Sequence, residues 1–340
     1  MSQTKARFPQ CRRRKGQDRI RQDMRSCSIM VDYEASHEAL AAIARRHGAT
    51  AESVRPIPSG VANHVFHLGE DLVLRIPRTR RFLLDLVKEA AVIPAARGAG
   101  VRTPEVVTFD DTCSEVNVPY MVLTRAPGVD LARLALSTAE TDHVFHQVGQ
   151  ELAKLHRLSA TKVADLGAIP VDDDATDPRA LTLRLLAEGW IDADASRWLT
   201  GWIDRLSAHL PADPPQVLLH GDIAPQNLLV SSDTAQLTGI VDWGDAQWAD
   251  PAIEFAKTPL TGIPAMLDGY RQETGEATSP STRSWEARVL LIHLTWALAR
   301  LADPAPNSGA RHWTAPPASR LLGLLRFFTS SPPAPWTDLT

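Results

Sequence analysis

Two short polar motifs, each bordered by a short apolar run, constrain this 340-residue chain more than any other feature. The first motif reads His220-Gly221-Asp222-Ile223-Ala224-Pro225-Gln226-Asn227, and the second reads Ile240-Val241-Asp242-Trp243. A carboxylate is followed by an amide five residues later, and a second carboxylate stands fifteen residues after that. The flanking apolar runs, at 217–219, 228–230 and 238–241, predict short β-strands that carry these side chains.

This set of side chains suits phosphoryl transfer. The reaction needs an aligned acceptor hydroxyl, a metal ion that bridges the phosphates, and positive charge over the transferring group. Asp222 would orient the hydroxyl and accept its proton as catalytic base, and Asn227 and Asp242 would hold Mg²⁺. His220 would brace the catalytic loop. Either motif alone is common in ordinary turns, so the combination at this spacing is what favours a kinase.

The hydrophobic pattern before residue 125 predicts a small lobe rich in β-structure, over residues 31–124. We expect a helix over 37–47, a hairpin over 61–68 and 72–77, a helix over 81–97, and strands at 106–109 and 120–124. Ser36 is the predicted N-cap of the first helix. Pro94 should end or kink the second helix, because proline lacks a backbone N–H.

After Arg125 the pattern becomes helical, and residues 125–340 form the second, larger lobe. We expect helices over 143–158, 181–187, 195–210 and 283–301. Prolines accumulate from Asp303 onward, which predicts a loosely held C-terminal segment.

Charge is unevenly distributed along the chain. The first 30 residues contain nine Lys and Arg against two Asp, although the net charge of the whole chain is −4. We interpret residues 1–30 as a disordered basic extension, with nucleic-acid contact as the less favoured alternative. The acidic remainder favours a cationic small-molecule partner. No apolar run could span a membrane and no signal peptide is evident, so we expect a cytoplasmic location.

Both motifs resemble those of the aminoglycoside phosphotransferase family, within the protein-kinase-like superfamily, to which macrolide phosphotransferases are related. The similarity extends from the first hairpin to about residue 256. It implies an α+β, two-lobed protein-kinase-like fold, with a nucleotide-binding lobe at 31–124 and a catalytic and substrate-binding lobe at 125–340. It also implies transfer of the γ-phosphate of ATP or GTP to a hydroxyl group. The chain departs from the family at Ala249, where the family has Gly, and at Glu254, the final acid of that segment.

The resemblance also implies a set of nucleotide-binding residues. Arg75 stands where the family has its phosphate-anchoring Lys, and Glu89 on the following helix would pair with it. The other members are the phosphate-covering residues Ser59, Gly60 and Asn63, and the hinge residues Thr124 and Ala126, which would contact the purine through their backbone.

Family relatives bind polycationic aminoglycosides through carboxylates, so an aminoglycoside is the first expectation for the acceptor. Candidate acids are Asp172, Asp173, Asp174, Asp177, Glu188, Asp192, Asp194, Asp268, Glu273, Glu276 and Glu286. The aromatic residues Trp285, Trp296 and Trp313 would suit a macrolide instead, or they pack helices together. A metabolic small-molecule kinase and a nucleotide-binding pseudokinase are the alternatives. Protein-kinase activity is disfavoured because no Ala-Pro-Glu segment follows Asp242.

Overall fold

The computed structural model describes residues 33–58, 62–159, 169–172, 176–275, 283–302 and 317–339. Several predictions lie outside these ranges: the basic extension over 1–30, and the residues Ser59, Gly60, Asp173, Asp174, Glu276 and Trp313. The chain divides into two compact units. One comprises Met1–Leu86 with Val106–Thr124, and the other comprises Val87–Glu105 with Arg125–Thr340.

The first unit contains a five-stranded antiparallel sheet in the order β1-β2-β3-β5-β4. Its strands are β1 (Val54–Ile57), β2 (Asn63–Leu68), β3 (Leu72–Pro77), β4 (Val106–Asp110) and β5 (Tyr120–Thr124). The predicted hairpin is confirmed as β2 and β3, joined across a tight turn at Gly69, where φ is +65°. Strand β1 was not predicted, because Pro56 interrupts its pattern.

Helix α1 (His37–Arg46) covers part of this sheet. Ser36 caps it as predicted, and its hydroxyl accepts a hydrogen bond from the Ala39 N–H. Leu40 and Ile43 lie on the buried face of the helix and join a core that includes Leu74 from β3. The apolar spacing along the helix therefore fixed both its existence and its orientation.

Helix α2 (Leu83–Gly98) begins in the first unit and continues into the second. The helix does not end at Pro94, contrary to one form of our prediction, but continues to Gly98. The proline removes one backbone hydrogen bond, yet Val92, Ile93 and Ala96 on either side of it are buried. Apolar packing on both sides of Pro94 thus outweighs the lost bond.

The second unit is mainly helical. Its helices are α3 (Thr138–Leu155), α4 (Pro178–Ala187), α5 (Ala193–Ser207), α6 (Ile263–Thr274), α7 (Arg283–Ala299) and α8 (Pro317–Thr329). Helices α3 and α6 make the most extensive contact in the unit. The sequence predicted four of these helices and missed α6 and α8.

Two small sheets lie within the helical unit and carry the polar motifs. Strand β7 (Val217–Leu219) pairs with β10 (Gln247–Ala249), and β8 (Leu228–Val230) lies between β6 (Val129–Asp130) and β9 (Leu237–Ile240). The first polar motif connects β7 to β8, and the second begins at the end of β9. The short strands thus deliver both motifs to one region of the unit.

The described end of the chain, residues 317–339, is packed, which contradicts the prediction that the last residues are loosely held. Trp336 and Leu339 are buried, and the indole Nε1–H of Trp202 on α5 donates to the Leu339 carbonyl at 3.1 Å. The prolines at this end lie in turns between buried apolar residues, so the number of prolines alone did not indicate a loosely held segment. Among the described residues, no helix is both long and apolar enough to cross a membrane.

Candidate active site

Asp222 lies at the start of the loop that follows β7, and both of its carboxylate oxygens have partners. Asn227 donates from Nδ2 to the Asp222 Oδ2 at 2.7 Å and to the Asp222 carbonyl at 2.9 Å. The ammonium of Lys257 lies 2.6 Å from the other oxygen, Oδ1. The Asp222 side chain is 16% exposed, so it reaches the surface while neighbouring side chains hold it in place.

The orientation of the Asn227 amide follows from these contacts. Both groups that it meets on Asp222 are acceptors, so the amide nitrogen must face them. The side-chain oxygen therefore points away from Asp222. The Asn227 backbone carbonyl accepts from the Val241 N–H at 3.0 Å, which ties the loop to the segment that carries Asp242.

His220 braces the catalytic loop from beneath. Its Nδ1 accepts from the Asp222 N–H at 3.1 Å, and its Nε2 contacts the Val241 carbonyl at 3.0 Å and must be the protonated nitrogen. The ring is fully buried, and burial lowers its pKa, which keeps the imidazole neutral. The predicted bracing contacts are present, and no hydrogen bond of this ring leads to the surface.

Asp242 occupies a left-handed backbone conformation, with φ of 72° and ψ of 66°. This conformation is uncommon for a residue with a side chain, so the surroundings must enforce it. The next residue, Trp243, supplies the anchor: it is fully buried, packs edge-on against His220, and donates from Nε1 to Thr103 Oγ1 at 3.0 Å. Anchoring Trp243 inside leaves the Asp242 side chain exposed.

Glu254 lies buried behind the loop, and its Oε1 accepts from the Gly221 N–H at 3.1 Å. Burial raises the pKa of Glu254 to about 8, because backbone donors from Gly221 and His220 and the charge of Lys257 only partly offset the cost of desolvation. The carboxyl group therefore carries a proton at neutral pH. A protonated acid can both accept and donate hydrogen bonds beneath the catalytic loop.

Glu254 and Lys257 both lie on the 3₁₀ helix Pro251–Lys257, and both contact the catalytic loop. Asp250 caps the helix by accepting from the Ala252 N–H at 2.8 Å, and its carboxylate pairs with Arg288 at 2.9 Å. At the other end, the Thr258 hydroxyl donates to the Ile223 carbonyl at 3.1 Å. Asp250 thus has a structural role, because it caps this helix and joins it to Arg288.

The residues predicted to hold Mg²⁺ fit a metal that is shared with phosphates. Asn227 points its amide oxygen away from Asp222, and the Asp242 carboxylate is exposed on the adjoining segment. Magnesium is commonly bound by one or two protein oxygens together with phosphate and water. No group of three or more His, Cys, Asp or Glu residues that could hold a metal alone occurs in the described part of the chain.

The described nucleotide-binding candidates are distributed over both units. In the first unit, Asn63 lies on β2, Arg75 on β3 opposite Val65, and Thr124 at the end of β5. Glu89, which is buried, and Ala126 belong to the second unit. The proposed pairing of Arg75 with Glu89 and the purine contacts stay predictions.

Four of the acids proposed to meet a cationic acceptor have clear structural roles. Asp177 and Asp192 cap helices α4 and α5, and Glu286 is buried in a two-point ion pair with Arg271. Glu273 pairs with Arg157 at 2.6 Å. Trp285 packs against Tyr270 and Phe255, which supports its predicted role in helix packing.

The sequence interpretation missed Lys257, which contacts Asp222 directly. The residue stands among the apolar residues Phe255, Ala256 and Ile253, and a lone lysine in such a run was the available signal. Asp245, its second partner at 3.2 Å, was also missed. Neither residue belongs to the two motifs from which the site was predicted.

Comparison with known proteins identifies the family to which the chain belongs. Residues 53–288 match the sequence profile of the family described as the phosphotransferase enzyme family, APH. The chain is 30% identical to the aminoglycoside 3'-phosphotransferase of Streptomyces fradiae over 195 residues, or 54% of this chain and 66% of that protein. It is also 30% identical to the viomycin phosphotransferase of Streptomyces vinaceus over 213 residues, which cover 59% and 70% of the two chains. The chain thus spans just under two thirds of the first relative.

A solved structure resembles the chain over most of its length. The GDP complex of wild-type aminoglycoside 2'-phosphotransferase-IIIa superimposes with a TM-score of 0.58 at 19% identity, covering 91% of this chain and 96% of that one. At this identity the likeness concerns the fold. It confirms the predicted α+β, two-lobed protein-kinase-like fold.

The fold and the two motifs define a protein of the kinase-like phosphotransferase class. Within that class, the family profile covers more than half of the chain, and the chain belongs to the aminoglycoside phosphotransferase (APH) family. The resemblance stated from the catalytic loop and the second motif is therefore confirmed.

Proposed function

We propose that this protein is a small-molecule kinase, which transfers the γ-phosphate of ATP or GTP to a hydroxyl group of an antibiotic of the aminoglycoside type. The observation that carries the proposal is the arrangement of Asp222, Asn227 and His220. Asn227 donates to the Asp222 carboxylate at 2.7 Å, and His220 accepts from the Asp222 backbone N–H at 3.1 Å, within a chain of the phosphotransferase family.

Asp222 acts as the catalytic base in this proposal. The acceptor hydroxyl donates to the Asp222 carboxylate and passes its proton there as the hydroxyl oxygen bonds to the γ-phosphorus. Asn227 fixes the rotation of the carboxylate through its 2.7 Å hydrogen bond, and His220 fixes the backbone at Asp222. Alignment is the main contribution of the protein in such a reaction, since little covalent chemistry is required of it.

Asn227 and Asp242 would hold Mg²⁺ against the nucleotide phosphates. When bound, the ion would supply positive charge against the phosphates. The hydrogen bond from the Val241 N–H to the Asn227 carbonyl keeps the two ligand-bearing segments together. Asp242 in its left-handed conformation presents its carboxylate outward, because Trp243 beside it is anchored in the interior.

The nucleotide would be bound by the residues that the resemblance implies: Ser59, Gly60, Asn63, Arg75, Glu89, Thr124 and Ala126. Arg75 keeps a positive charge where relatives have Lys, and its planar group can bind two phosphate oxygens at once. Residues 31–124 would serve nucleotide binding, and residues 125–340 would serve catalysis and acceptor binding.

The acceptor class rests on two supports. Relatives at 30% identity are an aminoglycoside 3'-phosphotransferase and a viomycin phosphotransferase. In addition, the chain after residue 30 is acidic, which favours a cationic partner. Glu286 is buried in its ion pair with Arg271, and Asp177 and Asp192 cap helices, so these three acids are less suited to contact such an acceptor.

The proposal is tested by nucleoside diphosphate release from purified protein with Mg²⁺ and either ATP or GTP. The panel of acceptors would contain aminoglycosides, viomycin, macrolides and several hydroxylated cationic metabolites, with Asp222→Ala protein as the blank. We expect release to be stimulated by an aminoglycoside and abolished in the blank. Nucleotide binding without release for any acceptor would support the pseudokinase alternative, and stimulation only by macrolides or metabolites would change the acceptor class.

A further inference from the structure

We propose that Lys257 is a further catalytic residue, whose ammonium contacts the transferring γ-phosphoryl group while it stays beside Asp222. The inference rests on the proposed function of the same site. It adds a residue that belongs to neither polar motif.

The first observation is the position of the ammonium group. Lys257 Nζ lies 2.6 Å from Asp222 Oδ1 and 3.2 Å from Asp245 Oδ2. An acceptor hydroxyl bound to Asp222 would lie about 3 Å from the carboxylate, and the γ-phosphorus about 3 Å further on. A cation that already contacts Asp222 therefore lies in the same small region as the γ-phosphoryl group, and the proposal brings the two into contact through a side-chain rotation.

The second observation is that the backbone around Lys257 is fixed relative to the catalytic loop. Glu254, three residues before Lys257, accepts a hydrogen bond from the Gly221 N–H. Thr258, one residue after Lys257, donates a hydrogen bond to the Ile223 carbonyl. The Lys257 side chain is only 17% exposed, and its ammonium lies 5.9 Å from the centre of the Trp296 ring. Such a lysine is preorganised, unlike a flexible surface lysine.

The third observation concerns charge. The loop from His220 to Asn227 contains no Lys or Arg, yet phosphoryl transfer spreads negative charge over the equatorial oxygens of the γ-phosphoryl group. Burial alone lowers the pKa of Lys257, but the charges of Asp222 and Asp245 outweigh it and raise the pKa. The side chain is thus a permanent cation at neutral pH.

The chemical step balances without any further reagent. The acceptor oxygen forms a bond to the γ-phosphorus, and the bond from that phosphorus to the β–γ bridging oxygen breaks. Its electron pair leaves on the nucleoside diphosphate, and the hydroxyl proton moves to Asp222. Lys257 keeps one N–H on Asp222 and directs a second to a γ-phosphoryl oxygen, because an ammonium has three donors.

The test compares affinity for a nucleoside triphosphate and the matching diphosphate, each with Mg²⁺, by calorimetry and without any acceptor. A non-hydrolysable analogue replaces the triphosphate. We expect the wild-type protein to prefer the triphosphate by about tenfold or more. Lys257→Met should lose most of this preference and keep its diphosphate affinity, whereas Lys257→Arg should keep part of the preference.

Two further variants separate direct contact from indirect effects. Lys154→Met is the matched control, because Lys154 is also a partly buried lysine paired with a carboxylate, Glu151, at 2.8 Å. Glu151 keeps its hydrogen bond from the Arg102 N–H, so this change should leave the preference intact. In Lys257→Met the bare Asp222 charge could itself repel the triphosphate. The double variant Lys257→Met with Asp222→Asn removes that charge, and we expect it still to lack the preference.

The outcomes are distinct. Unchanged preference in Lys257→Met, restored preference in the double variant, or no preference in the wild-type protein would each overturn the role of Lys257. Failure of the wild-type protein to bind either nucleotide would instead overturn the proposed function itself, and this inference with it. Once an acceptor is known, kcat should fall about 100-fold in Lys257→Met, while the KM of the acceptor changes less than about threefold.

Discussion

Gly221 shows how one residue type makes the catalytic loop possible. Its φ of +82° is in the region that favours glycine, and a Cβ atom built there would lie 2.2 Å from the Asp245 carbonyl oxygen. The loop can therefore approach the segment after Asp242 only if residue 221 has no side chain. This close approach brings Asp222 and Asp245 to the same lysine.

We expect Gly221→Ala to destabilise the protein and to impair catalysis. The left-handed conformation costs about 1–2 kcal/mol for alanine, and the overlap with Asp245 adds about 1–3 kcal/mol. Gly189→Ala is the control, because Gly189 has a similar φ of +77° with nothing within 4 Å. Equal losses of unfolding free energy in the two variants would contradict the close-approach explanation.

Glu254 should make stability depend on pH. Its pKa is about 8 in the folded protein and about 4.5 when unfolded, so the folded state holds a proton that the unfolded state releases between these values. The stabilisation of the folded state by the raised pKa of Glu254 is therefore fully present below pH 4.5 and is lost as the pH rises towards 8. Burial is the main cause, Asp222 adds to the shift, and Lys257 opposes it.

The change Glu254→Gln tests this assignment, since the amide keeps an acceptor for the Gly221 N–H and does not titrate. From pH 5 to pH 8, the unfolding free energy of the wild type should fall relative to that of Glu254→Gln, by up to about 1.4 kcal/mol per pH unit. Denaturant unfolding at each pH measures it. Parallel profiles would show that Glu254 ionises normally.

Residue-level reasoning from the sequence identified the polar motifs and missed Lys257. Asp222, Asn227 and Asp242 were found because phosphoryl transfer requires those side chains at that spacing. Lys257 comes from a separate 3₁₀ helix, and its approach to Asp222 depends on the packing of Glu254 and Thr258 against the loop. A contact created by tertiary packing leaves no local pattern in the sequence.

At the scale of elements, helices α3 and α6 illustrate the same limit. A Cβ on Gly149 of α3 would lie 1.9 Å from the Met266 carbonyl oxygen, and one on Gly269 of α6 would lie 1.9 Å from the His146 carbonyl oxygen. The glycines thus allow the two backbones into direct contact. Helix α6 was missed because its Pro264 and Gly269 look like helix breakers, although Pro264 lies in the first turn and Gly269 serves close packing.

We expect Gly149→Ala to cost about 1–3 kcal/mol of unfolding free energy, because the methyl group would force the helices apart. Gly201→Ala on α5 provides the contrast, since nothing lies within 4 Å of a Cβ there. That change should stabilise the protein by about 0.5–1 kcal/mol through helix propensity. Opposite signs in thermal or denaturant unfolding would confirm the account, and stabilisation by both changes would refute it.

Elements with a clear period were predicted well. Helix α1 and the β2–β3 hairpin follow from local spacing, a capping serine and a tight turn, and each is confirmed. Elements at short or proline-containing segments, such as β1, α6 and α8, were missed because their stability comes from neighbours. Helix α2 likewise continues past Pro94 because neighbouring residues stabilise it.

At the scale of the molecule, the chain combines a β-rich unit and a mainly helical unit, each with its own core. The fold class could be predicted because the order of elements and the two motifs both indicated it. The packing of the C-terminal segment could not, since Trp336 and Leu339 are buried by partners distant in the sequence, such as Trp202. Proline content gave no information about those partners.

The central claim is that Asp222 activates an acceptor hydroxyl for phosphoryl transfer. The most direct measurement follows the γ-phosphoryl group, labelled with ³²P, from the nucleotide to the acceptor in a single turnover. Wild-type protein is compared with Asp222→Asn and with Asp233→Asn, an exposed aspartate in the β8–β9 turn that serves as control. We predict transfer by the wild type and the control, and a loss of about 100-fold or more in Asp222→Asn, with nucleotide binding retained. Undiminished transfer by Asp222→Asn would contradict the account.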